Sequence, residues 1–151
     1  MEWHDVSEYT GYLIRRAQQA HVAAWQREVS SDFTSVQFGV LNVLSRSPGA
    51  SQRALCTALD LDRSTIADIV ARLERRGFIV RARDQLDRRR NILQLSPAGR
   101  EELEAMIPRV ARVDSVLTEG LDPADRLAIR RILSGMLDSP SVRSLSASAD
   151  L

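Results

Sequence analysis

Residues 62–96, DRSTIADIVARLERRGFIVRARDQLDRRRNILQLS, constrain this chain more than any other stretch. Ile66, Ile69, Val70 and Leu73 recur at i, i+3, i+4 and i+7, which puts them on one face of a helix. Thr65, Asp68, Arg72 and Arg75 occupy the other face. Asp62 is placed to cap the start by accepting from a free N–H of the first turn, and Gly77 suits a left-handed residue after the end. Beyond Gly77, FIVRARD and NILQLS are rich in Val, Ile and Leu and flank the polar run QLDRRR, a pattern of two strands and a long turn. Arg88, Arg89 and Arg90 crowd positive charge at that turn. Such a tip repels itself unless an anion lies opposite, and phosphate is the obvious one. The plainer reading is a solvated hairpin whose charge only keeps it soluble.

Charge elsewhere shows that this basic region is local. Residues 46–90 hold 11 Arg against 6 acids, leaving 10 Arg against 14 acids in the rest, for a formal net charge of +1. A chain of 151 residues with 44% hydrophobic content is one domain's worth and can bury a core. The acidic opening MEWHDVSEY lacks an apolar signal core, and no apolar run approaches the roughly 18 residues of a spanning helix, so a cytoplasmic protein without membrane contact is expected. One cysteine, Cys56, permits neither an internal disulfide nor a thiolate metal site. Set between Leu55 and Ala58, it reads as a small buried hydrophobe. His4 and His21 have no ligand cluster beside them, and neither a metal nor a cofactor is expected.

The remaining pattern is helical. Residues 5–29 suit a long first helix with a narrow stripe of Val6, Leu13, Ala17, Ala20 and Ala24. Thr34-Ser35-Val36-Gln37 is a capping box, with Phe33 and Phe38 as a hydrophobic staple, and the helix it opens must end before Pro48-Gly49. Ser51 can cap a short third helix, QRALCTAL, with Leu55, Ala58 and Leu59 facing inward. Two short helices joined by the turn DLD make a helix-turn-helix, and the hairpin makes it winged. Ser96-Pro97 starts a fifth helix, in which Pro108 predicts a kink or break. Asp122-Pro123 starts a sixth. The serine-rich tail after Pro140 is expected to be disordered.

The order of elements over roughly residues 5–138 resembles the MarR family of bacterial transcriptional regulators. The most specific feature is 87–96, DRRRNILQLS, which fits the family's wing pattern D-x-R-x-x-x-L-x-L-[ST] at every fixed position; DRST and LERRGFI also resemble family sequence. The resemblance implies a mainly α fold (α+β), with dimerisation helices at 1–32 and 97–138, a winged DNA-binding lobe at 33–96 and a tail at 139–151. It implies a homodimer over a pseudo-palindromic double-stranded DNA operator, since a two-fold dimer reads a two-fold site. The interface should include Val6, Leu13, Ala17 and part of the set from Leu117 to Met136.

By position, the family's major-groove readers fall on Ser64, Thr65, Asp68 and Arg72, with Arg63 close to phosphate. Asp68 can accept from cytosine or pair with Arg72. In the wing, Asp87 resembles the residue that orients an arginine and Arg89 the one that enters the minor groove, with Arg88 beside it. Ser51, Gln52 and Arg53 can hold phosphate at a helix start.

The resemblance also implies release of DNA by a small aromatic effector, and GYLIRRAQQAH is similar to a branch that responds to aromatic acids or their coenzyme A thioesters. Arg16 can pair with a carboxylate or phosphate, Tyr12 and His21 can hydrogen-bond a phenol, and Trp25 and Phe38 can stack on a ring. Trp25 and Phe38 also read as plain core, and Arg16 as an interhelical salt-bridge partner. The alternative function is a winged-helix module that binds an acidic protein without touching DNA. An enzyme is not expected, because the sequence lacks a phosphate-cradling glycine loop, a nucleophile elbow and a metal-ligand cluster.

Overall fold

A computed structural model describes residues 4–148. A 3-10 turn at Val6–Glu8 precedes α1 (Thr10–Glu28), α2 (Ser35–Arg46), α3 (Gln52–Leu59), α4 (Arg63–Arg75), β1 (Ile79–Arg83), β2 (Asn91–Leu95), α5 (Pro97–Leu117), α6 (Pro123–Asp138) and α7 (Pro140–Ser148). The described residues form a mainly α fold carrying one two-stranded antiparallel wing.

Side-chain caps set most helix starts. Thr34 accepts from the Gln37 amide while the Gln37 side chain accepts from the Thr34 amide, so the capping box of α2 is complete. The two phenylalanines beside it bind different elements: Phe33 packs on Phe78, centroids 5.3 Å apart, and Phe38 on Trp25 at 5.9 Å. Ser51, Asp62, Ser96 and Asp122 cap α3, α4, α5 and α6.

The end of α4 fixes where the wing begins. Gly77 takes φ +79°, its amide donates to Glu74 O and the Phe78 amide to Leu73 O, the paired bonds of a Schellman turn. Ile79 then pairs with Leu95 at the base of the hairpin, and Arg83 with Asn91 near its tip. Ser96 closes the base: its amide donates to Phe78 O and its Oγ to Gly77 O, while that same Oγ accepts from the Gly99 amide. A short bridge between Ala50 and Leu93 adds a third segment against the wing.

The core lies inside the winged lobe. Val40, Leu41, Leu44, Leu55, Ile66, Val70, Leu73, Ile79 and Leu93 are buried, and Trp25, Leu103, Met106 and Val113 extend the cluster onto α1 and α5. Of the α4 face read from Ile66, Ile69, Val70 and Leu73, Ile69 is half-buried against the core and the other three are buried.

Besides the staple, four expectations differ from the structure. Ala58 is exposed and only Leu55 of α3 is fully buried, because an eight-residue helix on the surface covers a single line of contact. Of the kink or break expected at Pro108, the break does not occur: α5 is one helix over 21 residues, packed along α1 and α2. Residues 140–148, expected to be disordered, form α7: Ser139 and Pro140 repeat the Ser-Pro helix start of α5, and the Val142 amide donates to Ser139 Oγ. The long first helix is interrupted at its start, where Asp5 accepts from the Ser7 amide and closes the 3-10 turn.

Candidate nucleic-acid interface

The outer face of α4 carries Ser64, Asp68 and Arg72 exposed and Thr65 half-buried. Asp62 organises its amino end. Its Oδ1 accepts from the Thr65 amide at 2.8 Å and from Ser64 Oγ at 2.6 Å, and its Oδ2 from Thr65 Oγ1 at 2.6 Å. These donors, the Ser64 and Thr65 hydroxyls first, hold the Asp62 carboxyl far below the usual carboxylate range. Asp68 and Arg72, one of the two readings for which was an ion pair, do not pair among the described residues. Arg63 is exposed at the first position of the helix.

In the wing, Asp87 Oδ1 accepts from the Arg89 backbone amide at 3.0 Å and Asp87 O from the Arg90 amide at 2.9 Å. Asp87 therefore shapes the backbone beneath Arg89 and leaves the guanidinium outside. Arg83 Nη1 donates to Arg88 O at 2.8 Å, which further fixes the tip. Arg88, Arg89 and Arg90 are exposed.

At the start of α3, Ser51 accepts from the Ala54 amide and Arg53 is exposed. Gln52 has a different partner: its Oε1 accepts from Arg81 Nη1 at 2.9 Å, while Arg81 Nη2 lies 3.4 Å from Glu74. Sequence reasoning missed Arg81, which bolts β1 to both α3 and α4. Strand alternation carried the signal, since Arg81 shares a face with the buried Ile79 and so points toward the helices.

The candidate ligand residues fall into two groups. His21, Trp25 and Phe38 lie together, with the His21 and Trp25 ring centroids 6.0 Å apart. His21 and Trp25 wall a cavity of about 150 Å³ with Val22, Phe33 and the 30–35 loop. The Trp25 indole N–H donates to Phe33 O at 2.6 Å, so its polar atom is satisfied inside the core. Tyr12 and Arg16 form a separate exposed pair in which Arg16 Nη1 donates to the Tyr12 hydroxyl at 3.1 Å. Along α1, Arg16 and Trp25 stand about 14 Å apart and on opposite sides of the helix. Cys56 is half-buried and packs against the core. Among the described residues, no group of acidic, histidine or cysteine side chains is arranged to hold a metal ion, and no helix is long and apolar enough to cross a membrane.

Comparison with known proteins places this geometry among DNA-binding regulators. A family model described as "MarR family" matches residues 31–90. The HTH-type transcriptional repressor NicR of Pseudomonas putida is 36% identical over 137 residues, covering 90% of this chain and 87% of NicR. BpsR of Bordetella bronchiseptica, whose structure concerns regulation of DNA binding by 6-hydroxynicotinic acid, is 34% identical and superposes with a TM-score of 0.86 over 91% of this chain and 99% of its own. The transcriptional repressor CouR is similar in two complexes. Bound to a 23-mer DNA duplex it has 32% identity and a TM-score of 0.77 over 90% of this chain and 97% of its own. Bound to p-coumaroyl-CoA it has 31% identity and a TM-score of 0.82 over 92% and 99%.

Proposed function

Because this chain belongs to the MarR family of transcriptional regulators, we propose that it is a homodimeric, sequence-specific repressor that leaves a pseudo-palindromic operator when a small aromatic acid or its coenzyme A thioester binds. The observation that carries this reading is the pairing, in one lobe, of the polar face of α4 with an arginine-tipped wing held by the Asp87 and Arg81 hydrogen bonds. A helix for the major groove and a cationic finger for the neighbouring backbone or minor groove supply base readout and phosphate attraction together.

Dimerisation has support in the apolar side chains left on the surface of one copy. Val6, Leu13, Leu127, Ile132 and Leu137 are each more than half exposed, and they lie on the terminal elements named for the interface. Of the stripe on α1, Leu13, Ala17 and Ala20 are exposed and only Ala24 is buried. Faces this apolar are stable in water when a partner covers them.

An effector site has support in the cavity beside His21 and Trp25. Its volume of about 150 Å³ is on the order of one that holds a benzene-sized ring. An aromatic ring is of that size, and the carboxylate or the rest of a thioester would extend beyond it. The relatives are consistent with this class, since BpsR responds to 6-hydroxynicotinic acid and CouR was solved with p-coumaroyl-CoA.

The reading is tested by selecting duplexes from a random pool and titrating them with purified protein at several salt concentrations. Binding should weaken steeply with salt, and 6-hydroxynicotinic acid or p-coumaroyl-CoA should release the duplex. Salt-independent binding, or none, defeats the DNA-binding reading. Binding indifferent to a panel of aromatic acids and thioesters defeats only the effector.

A further inference from the structure

The amino end of α4 has a hydrogen-bond polarity that its residue types alone do not reveal. A hydroxyl has one hydrogen to donate and two lone pairs, and so can face either a donor or an acceptor. In this chain the hydrogens are already placed. Ser64 Oγ donates to Asp62 Oδ1 and Thr65 Oγ1 to Asp62 Oδ2, both at 2.6 Å. Asp62 is an ionised carboxylate at neutral pH, and its three donors favour that charged form further. An ionised carboxylate only accepts, so the direction of both bonds is fixed. What remains outward on Ser64 and Thr65 is lone pairs. Asp68, exposed one turn further on the same face, is likewise acceptor-only.

We infer that Asp62 makes Ser64 and Thr65 acceptor-only readers, so that the base edges they meet carry an exocyclic amino group, adenine N6 or cytosine N4. The inference rests on the DNA-binding reading above and goes on to say which bases the helix selects. Elimination supports it. Phosphate oxygens, guanine O6 and N7 and thymine O4 are all acceptors, and a lone pair facing another forms no bond and loses its water. The two amino groups are the only donors on the major-groove edge. Arg72, further along α4 and a pure donor, suits guanine by the same logic. The helix thus presents acceptors first and a donor fork later, a polarity that orients it on an operator half-site.

The test is selection from a randomised duplex pool with the wild-type protein, Thr65→Val, Ser64→Ala and Asp62→Asn. Thr65→Val and Ser64→Ala each flatten the preference at the position their hydroxyl reads, and in wild type that position should favour adenine or cytosine by about three- to tenfold. Asp62→Asn keeps the cap through Oδ1, but its Nδ2 now donates to Thr65 Oγ1 and frees the Thr65 hydrogen to point outward. Base choice at the Thr65 position should then move toward guanine or thymine, with the Ser64 position unchanged. If Asp62→Asn does not fold, the other two variants decide the matter alone. Guanine or thymine at the hydroxyl-dependent positions of wild type, or no position responding to either hydroxyl deletion, overturns the inference while DNA binding stands. Absence of any salt-dependent binding by wild type removes the DNA-binding reading itself, and this inference with it.

Discussion

Arg76 lays its guanidinium 4.1 Å from the centroid of the Phe33 ring and donates from Nη1 to the Asp32 carbonyl at 2.9 Å. Arg76 is the residue that ends α4, and Phe33 belongs to the loop that lines the His21 and Trp25 cavity. Through Phe33 O, that loop also receives the Trp25 indole N–H. A short chain of contacts therefore runs from the cavity wall to the helix proposed to read DNA.

Replacing Arg76 by Ala should lower stability by about 1 kcal/mol, since a cation over a ring and one hydrogen bond are lost at an exposed site. Urea denaturation measures this, and Arg76→Lys should recover only part. In the same variant the aromatic acid should release DNA less effectively. An Arg76→Ala protein with unaltered stability and an unaltered effector response would show that the contact couples nothing.

Gly99 sits buried in the first turn of α5, where a Cβ would collide with the backbone carbonyl of Phe78. That carbonyl accepts from the Ser96 amide and cannot retreat without opening the base of the wing. Gly99→Ala should cost about 3 kcal/mol despite alanine's higher helix propensity. Thermal melting of the two proteins decides it, and a melting temperature equal to or above wild type contradicts the close approach.

Arg89 stands at the wing tip with its amide bound to Asp87. Arg89→Ala should weaken duplex binding and reduce the slope of log affinity against log salt by about one, the signature of one lost phosphate contact. An unchanged slope would place the wing away from DNA.

Leu137 is 57% exposed on α6. If it lies in the proposed dimer interface, Leu137→Asp puts a charge where apolar faces meet, and sedimentation should show monomers with weakened operator binding while the helical signal is kept. Dimers as tight as wild type would locate the interface elsewhere.

The Asp62 carboxyl has a lowered pKa, because the Ser64 and Thr65 hydroxyls and the Thr65 amide stabilise its ionised form. A depressed folded-state pKa contributes stability above the ordinary value of 3.8 and loses it as pH falls from there through the folded value. Wild type should therefore exceed Asp62→Ala in stability by a constant margin at neutral pH. That margin should shrink below about pH 3.8, as followed by acid titration with circular dichroism. A margin that grows on acidification would reverse the sign.

Much of this protein was legible in its residues because the signals were local. The Asp62 cap, the Gly77 turn, the buried face of α4 and the Thr34 box each depend on atoms a few positions apart, which spacing reports faithfully. The wing pattern likewise located β1 and β2 to within a residue. Tertiary structure decided what depends on contacts between distant segments. It gave Gln52 to Arg81 across 29 positions and Arg76 to Asp32 across 44, so neither side chain is simply a free polar group awaiting phosphate. It grouped His21, Trp25 and Phe38 and set Tyr12 and Arg16 apart, because the direction in which a residue leaves a helix matters only once its neighbours are in place. The Asp62 cap, though local, also directs the hydroxyl hydrogens of Ser64 and Thr65 onto its carboxylate, a choice that composition leaves open since a hydroxyl donates and accepts with equal ease.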